Sequence, residues 1–402
     1  MTTISPSFSI PEQTSITPED MIQRAEDLVP LLRERAAEVD QNRRIHDDTY
    51  RRLLEAGFLH ILKPKKFGGF EMTEHEHAKV AMTLAKGCAS TAWTFSILSS
   101  DNMAILAFPE ETQEEIWGEN SYASLAGNTN LNPNAVVERV DGGYLLTTKM
   151  GFCSGSDFSE WLVFNAPVGD EGEGHMFLVP SESAERIDDW FPTGMRGTGS
   201  RTMSVNEVFV PDRRVQKTSD TVQKLKERRS LHPTFDAMYA TWPSHGRFPF
   251  AACAVGAGLG AAEHFIATAG KSTRVANALG GTIKLIDQDY VATEFAQAYS
   301  DLQMAKLLVE DRSRRASQRA AERIETSPRE VSIDHLANAH VTRTALQAAQ
   351  KIFSIIGSKA GSPSHPVSIA KRDIEVISHH VTLNWRQAAS TFLKTVAADH
   401  GA

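Results

Sequence analysis

GGYLLTTKMGFCSGSDFSEW, residues 142–161, is the stretch of the sequence that decides the fold. It follows a hairpin signal at 141–143, and the β-rich run after that signal predicts a strand. A second strand is predicted at 161–166. The Gly/Ser/Asp loop between the two strands presents an aromatic ring (Phe152), a hydroxyl (Ser154) and a flexible glycine together. We therefore expect this loop to seat a flat ligand.

Composition limits the class of protein. The chain has 402 residues, of which 41% are hydrophobic and 23% charged, so it can bury two or three cooperating cores. A net charge of −8 gives no general attraction to phosphate polymers, and we expect no nucleic-acid partner. The three cysteines (Cys88, Cys153 and Cys253) lie far apart in the sequence and form no CxxC pair, so they do not predict a disulfide framework. Because this pattern fits a reducing compartment, we expect a cytoplasmic protein. No apolar run reaches a membrane span of about 18 residues, so no membrane partner is expected.

The first domain, residues 1–120, is predicted to be helical. Thr17 precedes a proline and two acidic residues, a pattern typical of a helix start. Apolar residues then recur at helical spacing, with a break or kink expected near Pro30. Further helices are predicted at 47–56, 74–85 and 91–107.

Strand signals replace helical ones in residues 121–215, which predicts a β-domain. Its strands are expected at 136–140, 144–149, 161–166, 175–179 and 204–210. Residues 216–250 are charged and irregular and predict a linker or lid. The final domain, 251–402, is predicted to be an antiparallel bundle of four helices at about 251–276, 287–325, 331–356 and 366–398.

Two motifs resemble the acyl-CoA dehydrogenase superfamily. The order Phe152, any residue, Ser154, glycine after a GGY-strand is similar to the flavin-facing segment of that family. The run 194–200, GMRGTGS, followed by VFVP at 208–211, is similar to a second family element. The resemblance covers nearly the whole chain. It implies a mainly α fold with a central β-domain: an N-terminal helical domain, a small β-barrel domain and a C-terminal four-helix bundle, assembled as a homotetramer.

The same resemblance assigns flavin-contacting residues. It places Phe152 against the isoalloxazine ring and the Ser154 hydroxyl near N5. The remaining residues that it implies for cofactor binding are Trp93, Asn128, Thr129, Arg196, Thr198, Ser200 and Arg274.

The C-terminal motif decides which chemistry is expected. Acyl-CoA dehydrogenases often carry a carboxylate base shortly after an Arg-Asp pair, and this chain has the pair, Arg372-Asp373. At the position of that base it has His380 instead. The run 378–385, SHHVTLNW, resembles the flavin-dependent monooxygenase branch, the oxygenase components of two-component systems. The resemblance implies that His380 is catalytic, as a general base or by positioning the substrate.

That resemblance implies a reaction and its partners. A separate flavin reductase supplies reduced FMN or FAD, O2 forms a C4a-hydroperoxyflavin, and a small aromatic substrate of phenol or indole type is oxygenated. Ser378 and Asn384 are expected to contact substrate, together with Trp242 and His245. The chain departs from relatives at Cys153, where a second serine is common, and at Asn102, where a second histidine is expected.

Three alternatives stay open at this point. The chain could be a dehydrogenase with tightly bound FAD, an N- or S-oxygenating member of the same branch, or a binding protein without activity.

Three other sequence features have simple structural interpretations. The glycine-rich run 256–260 is expected to serve helix packing rather than dinucleotide binding. His75 and His77 are expected at a solvated helix start, so no metal site is predicted. The arginine-rich run 312–323 is expected to form a salt-bridged helix face.

Overall fold

The computed structural model describes residues 16–169, 171–240, 247–277 and 280–399. The N-terminal domain is helical, as predicted. Its helices are α1 (Pro18–Asn42), α2 (Asp47–Glu55), α3 (Glu74–Ala85), α4 (Ala89–Ser100), α5 (Asn102–Ile105) and α6 (Glu110–Trp117). The predicted helix at 91–107 is divided at Asp101, and α6 was not predicted.

Helix α1 continues through Pro30, so a break there, one of the two expected alternatives, is wrong. Thr17 and Asp20 form a capping box at its N-terminus, which satisfies backbone N–H groups that the first turn leaves unpaired. Pro30 lies on the exposed side of the helix, while Met21, Ala25 and Leu32 are buried on the other. Because the apolar face keeps its packing on both sides of the proline, the helix continues to Asn42.

The β-domain consists of two four-stranded sheets rather than one closed barrel. The first sheet has the order β1 (Leu125–Leu131), β4 (Trp161–Val168), β5 (Glu173–Pro180) and β8 (Val215–Lys217), with β1 and β4 parallel. The second has the order β2 (Val136–Val140), β3 (Gly143–Cys153), β7 (Arg201–Pro211) and β6 (Glu185–Ile187). The five predicted strands are all present, and β1, β6 and β8 are additional.

The predicted linker is more ordered than its sequence indicated. It contains the end of β8 and a helix, α7 (Thr221–Arg228). Arg228 donates a hydrogen bond to the carbonyl of Ala107, which fixes α7 to the N-terminal domain. The prediction of an irregular segment is therefore wrong for this part of it.

The C-terminal domain differs from the prediction in two places. Its elements are α8 (Arg247–Ala269), β9 (Thr273–Asn277), β10 (Gly280–Lys284), α9 (Asp289–Ala321), α10 (Pro328–Ile356), α11 (Pro366–Ser378) and α12 (Trp385–Asp399). The first helix ends before a β-hairpin, β9–β10, which was not predicted. The last predicted helix is interrupted at residues 379–384, so α11 and α12 are separate helices.

Helix α8 is the central helix of the domain and packs on α3, α9, α10 and α11. Gly256 permits this packing, because a Cβ there would lie 2.1 Å from the carbonyl oxygen of Met82 on α3. The interpretation of run 256–260 as a packing surface is thus confirmed. The segment Phe248–Ala269 is long and apolar enough to cross a membrane, but 78% of its most apolar window is buried inside the protein.

The arginine-rich run and the histidines at the start of α3 can also be compared with their predicted settings. On α9, Arg312 and Arg319 both pair with Asp334 of α10, so the arginine-rich face is ion-paired as predicted. Within the described ranges, no group of three or more His, Cys, Asp or Glu side chains is arranged to hold a metal ion. His77 is buried against Phe95, contrary to the expected solvated helix start.

Candidate active site

The loop that follows β3 has the compact geometry expected from its sequence. Ser154 donates its backbone N–H to the Phe152 carbonyl at 3.0 Å, and Gly155 donates to the Thr198 carbonyl at 3.1 Å. Gly155 has φ +76°, and a Cβ there would lie 2.9 Å from the Leu98 side chain. Glycine is needed here both for its backbone angle and for the close approach to α4. The loop therefore holds Ser154 in a fixed position.

Ser154 is part of a buried row of hydroxyl groups. The indole Nε1 of Trp93 donates to Ser154 Oγ at 3.2 Å, and Ser154 Oγ lies 2.7 Å from Ser200 Oγ. Ser200 Oγ lies 2.6 Å from Thr198 Oγ1, which donates to the Met195 carbonyl at 2.8 Å. These contacts bring together Trp93, Ser154, Thr198 and Ser200, four residues that the sequence assigned to cofactor binding.

Phe152 presents a flat apolar surface beside this row. Its side chain is 76% exposed, and its ring packs edge-on against Trp190 at 5.8 Å between centroids. Its φ of +58° lies in the left-handed region, which is uncommon for an aromatic residue. A strained backbone angle of this kind indicates a candidate functional position.

His380 reaches the same place from the C-terminal domain. Its ring packs edge-on against Trp93 at 5.1 Å and against Phe250 at 5.4 Å, and Trp93 and Phe250 stack at 4.4 Å. Trp93 therefore contacts His380 on one side and Ser154 on the other. The structure brings the two predicted catalytic residues together through this one indole.

The expected helical setting of His380 is wrong. Helix α11 ends at Ser378, and His380 lies in the 379–384 break as the N-cap of a short 3₁₀ turn. The two neighbouring histidines nevertheless face different surroundings. His379 is 76% exposed, with Glu375 3.9 Å away, while His380 turns inward. The local chain break, rather than helical rotation, separates their side chains.

His380 is neutral in this environment. Burial lowers the pKa of its imidazole to about 4. Its Nδ1 lies 2.9 Å from Thr382 Oγ1 and accepts the Thr382 backbone N–H at 3.4 Å. Because a backbone N–H can only donate, Nδ1 is an acceptor and the proton resides on Nε2. Nε2 has no hydrogen-bond partner in the part of the chain that the structure describes.

Two of the four residues predicted to contact substrate make hydrogen bonds within the protein. Ser378 donates to the Glu375 carbonyl at 2.7 Å within α11. Asn384 Oδ1 accepts the Gln387 N–H at 3.1 Å and caps α12. Both residues line a surface groove beside His379, whose lining does not include Trp93, Ser154 or His380. Trp242 and His245 lie outside the described residues.

The remaining predicted cofactor residues are spread more widely. Asn128 Nδ2 donates to the Gly151 carbonyl at 2.9 Å and lines a groove with Phe152. Thr129 follows it on β1. Arg196 donates to the Asp40 and Pro192 carbonyls at 2.8 and 3.2 Å. Arg274 donates to the Tyr290 hydroxyl and the Ile355 carbonyl, away from the Ser154 row.

Comparison with known proteins identifies the family. The model of the acyl-CoA dehydrogenase N-terminal domain matches residues 24–121, and that of the C-terminal domain matches residues 248–385. A pigment production hydroxylase from Rhodococcus sp. is 30% identical over 385 residues, which cover 94% of this chain and 96% of the relative. The chain belongs to the acyl-CoA dehydrogenase family. Its similarities within that family lie in the flavin-dependent monooxygenase branch.

Two further relatives of this acyl-CoA dehydrogenase-family chain support that placement. The oxygenase subunit HsaA of a flavin-dependent monooxygenase from Rhodococcus jostii is 33% identical over 291 residues, 71% of this chain and 74% of the relative. The crystal structure of 3-HSA hydroxylase from Rhodococcus sp. RHA1 has a TM-score of 0.86 at 26% identity and covers 96% of this chain and 98% of that one. The predicted family and fold class are confirmed.

The residues present fit a flavin. The isoalloxazine ring is flat, with one polar edge, and the site offers an exposed aromatic ring at Phe152 beside the anchored hydroxyl of Ser154. Dehydrogenases of this family often carry a carboxylate base shortly after the Arg-Asp pair. At that position this chain has His380. The site of this family member therefore suits flavin binding.

Two neighbouring polar residues, Asp101 and Asn102, were not predicted as site residues. Asn102 was noted only as a difference from relatives, and Asp101 was not noted. Burial raises the pKa of the Asp101 carboxyl well above its usual value. Burial also raises the pKa of the Cys153 thiol, and the nearby Asp101 adds to that rise. Asn102 is fully buried, and neither atom of its amide has a partner within the described ranges. The signal was the polar run 99–102, SSDN, in an otherwise apolar helical segment.

Asp373 joins the two halves of the site. Its carboxylate accepts the Met195 N–H at 2.6 Å, while Arg372 pairs with Asp40 at 3.1 Å. Burial raises the pKa of Asp373 to about 7. The Arg-Asp motif thus connects α11 to the turn that ends the hydroxyl row.

Proposed function

We propose that this protein is the oxygenase component of a two-component flavin-dependent monooxygenase. It would use reduced FMN or FAD from a separate reductase, and O2, to oxygenate a small aromatic substrate of phenol or indole type. The observation that supports this most is the position of Trp93, with the Ser154 hydroxyl on one side and His380 on the other. One side suits a flavin edge, and the other offers a hydrogen-bonding group to a second molecule.

The flavin, when bound, supplies the activation of O2. Phe152 and Trp190 would contact its flat face, and Ser154 its polar edge. Trp93, Phe250 and the buried serines of α4 would limit the access of water, which protects reactive oxygen chemistry from hydrolysis. The aromatic lining also favours an aromatic substrate through stacking and edge contacts.

For His380 the geometry favours positioning over proton abstraction. Its Nδ1 accepts from Thr382, so its Nε2 carries the proton and donates to the substrate. An imidazole whose pKa is held at about 4 is also a weak base for a phenol. We therefore assign His380 the role of a hydrogen-bond donor that orients a phenolic oxygen or an indole ring.

The need for a separate reductase has structural support. The glycine run 256–260 is the nearest feature in the sequence to a dinucleotide loop, and it lies inside α8, packed on α3. Within the described chain it thus offers no nicotinamide dinucleotide site, and electrons would arrive as reduced flavin.

Assembly as a homotetramer is part of the same proposal. Large apolar side chains are exposed along α9, with Met304 66% and Leu307 56% exposed. Soluble monomers seldom expose such side chains in rows along one helix. Cytoplasmic location, and the absence of membrane and nucleic-acid partners, remain predictions from composition.

The proposal is tested by supplying the purified protein with NADH, a surrogate flavin reductase and either FMN or FAD. We expect oxygenated product from phenols or indoles, identified by mass spectrometry, and only hydrogen peroxide when the protein is omitted. A dehydrogenase would instead purify with bound FAD whose colour bleaches on adding an acyl thioester. Oxygenation of amines or sulfides but not of phenols and indoles would assign the protein to the N- or S-oxygenating alternative.

A further inference from the structure

The row of hydroxyl groups behind Ser154 has two ends of opposite character. At one end the Trp93 indole N–H can only donate, and it donates to Ser154 Oγ at 3.2 Å. At the other end the Met195 carbonyl can only accept, and it accepts from Thr198 Oγ1 at 2.8 Å. Between them Ser154, Ser200 and Thr198 lie within 2.7 and 2.6 Å of one another.

Counting protons fixes the direction of every bond in this row. Each hydroxyl carries one proton, and Thr198 uses its proton on the Met195 carbonyl. The short contact between Thr198 and Ser200 then requires the Ser200 proton, and the contact between Ser200 and Ser154 requires the Ser154 proton. Ser154 Oγ uses one lone pair to accept from Trp93, so only its second lone pair is left for a further partner.

The acceptor end is held in place by the C-terminal domain. The Met195 N–H donates to Asp373 of α11 at 2.6 Å. Gly194 packs on the same helix, where a Cβ would lie 2.1 Å from the Arg372 carbonyl oxygen. The Met195 carbonyl therefore cannot turn away without displacing α11, and the polarity of the row is built into the fold.

We propose that this row makes Ser154 a hydrogen-bond acceptor toward the flavin, so that the site selects reduced over oxidised flavin, with Ser200 and Thr198 as the residues that set the preference. The inference rests on the proposed function and on the placement of Ser154 beside flavin N5. Reduced flavin carries a hydrogen at N5 and can donate to Ser154. Oxidised flavin has a lone pair there, which would face the lone pairs of the serine.

Reversing the row would not rescue the oxidised flavin. If Ser154 turned its proton toward N5, either a short contact at Ser200 would lose its proton, or Thr198 Oγ1 would face the Met195 carbonyl at 2.8 Å with no proton between them. The carbonyl would keep two other donors, Trp190 Nε1 at 3.1 Å and the Thr198 N–H at 3.3 Å. The reversal therefore costs one hydrogen bond, which weakens binding about two- to tenfold. A site of this kind releases flavin after it is oxidised and is ready for the next reduced molecule, which suits a cofactor that diffuses between two proteins.

The test compares dissociation constants of both flavin forms in variants of the row. Oxidised FMN and FAD are titrated by fluorescence quenching, and the reduced forms are titrated anaerobically. We expect the wild-type protein to bind the reduced form about two- to tenfold more tightly than the oxidised form. In Ser200→Ala and Thr198→Val, Ser154 is free to donate, so oxidised flavin should bind more tightly and the ratio should approach one.

Two controls keep the result interpretable. Thr198→Ser keeps the hydroxyl and should retain the wild-type ratio. Thr342→Val removes a buried hydroxyl of α10 that donates only to the Asn338 carbonyl, and it should change neither constant. An unchanged ratio in both Ser200→Ala and Thr198→Val would overturn the inference while leaving the proposed function intact. Failure of the wild-type protein to bind reduced flavin would instead overturn the proposed function itself.

Discussion

Trp93 contacts both of the predicted catalytic side chains, Ser154 and His380. Its indole N–H donates to Ser154, and its ring packs edge-on against His380. Phe250 stacks on the same indole. Because the indole N–H of Trp93 is a donor only and does not titrate, Trp93 can transmit position but not protons. The functions of Ser154 and His380 should therefore be separable by substitution.

Replacing His380 with alanine should uncouple oxygen use from substrate oxygenation. The variant should consume O2 at a normal rate but release hydrogen peroxide, because the substrate is no longer oriented. Loss of one positioning hydrogen bond predicts a product-to-peroxide ratio about 10- to 100-fold lower, whereas loss of a general base predicts about 100- to 10,000-fold. The ratio is measured by chromatography and a peroxide assay in the same reaction.

Two companion variants distinguish these roles. His379→Ala is the matched control, because that side chain is exposed and should couple normally. His380→Gln supplies an N–H donor without a basic nitrogen, so it should recover part of the coupling. Equal uncoupling in His379→Ala and His380→Ala, or no recovery in His380→Gln, would contradict the positioning role.

Ser154→Ala should act on the flavin side of the site. Removing its hydroxyl takes away the acceptor for flavin N5, so reduced flavin should bind about tenfold more weakly, and more peroxide should form even in the absence of substrate. Anaerobic titration and peroxide release without substrate measure the two effects. Ser159→Ala, at the end of the same loop, should leave both unchanged. If Ser154→Ala also behaved as the wild-type protein, Ser154 would have no part in cofactor binding.

At the scale of secondary structure, the break between α11 and α12 is the feature that sequence patterns did not reveal. Residues 379–384 contain no glycine or proline, and Val381 and Leu383 continue an apolar pattern compatible with a helix. Within this break His380 contacts Trp93 and Phe250, which are far away in sequence. Local propensity cannot report such contacts.

Other elements were predictable because their signals are local. The hairpin at Gly142 and the alternation of β3 identified its strand, and the capping residues at Thr17 identified the start of α1. The resemblance supplied the identity of Ser154, Thr198 and Ser200 but not their connection. Their order along the hydroxyl row follows only from the fold, since β3 and the turn before β7 meet in space.

The junction between α11 and the Met195 turn should make stability depend on pH. Burial raises the folded-state pKa of Asp373 from 3.8 to about 7. Between these values the folded protein keeps a proton that the unfolded chain has lost, so the free energy of unfolding falls as pH rises. The total for this group is on the order of 4 kcal/mol.

Asp373→Asn tests this dependence. An asparagine can still accept the Met195 N–H but does not titrate, so the variant should lack this loss of stability. Urea unfolding of both proteins at pH 5 and pH 8 gives the difference. We expect the variant to gain stability relative to the wild-type protein as pH rises. A constant difference between the two proteins would show that Asp373 does not titrate in this range.

At the scale of the whole molecule, the exposed apolar face of α9 predicts assembly. Light scattering at micromolar concentration should give about four times the chain mass of 44.2 kDa. The double substitution Met304→Glu and Leu307→Glu should lower this mass, because two charges would be buried at the contact. Val222→Glu, an exposed apolar residue on α7, is the matched control and should leave the mass unchanged. A wild-type mass of 44.2 kDa would contradict the predicted tetramer.

The central claim is that this protein transfers one atom of O2 to an aromatic substrate by means of reduced flavin. Its most direct test is a single turnover without any reductase: photoreduced FMN or FAD is mixed anaerobically with the protein and a phenol, and ¹⁸O2 is then admitted. We predict product that carries one ¹⁸O atom, detected by mass spectrometry. Oxygenated product without ¹⁸O, or consumption of ¹⁸O2 with peroxide as the sole product across phenols and indoles, would contradict the claim.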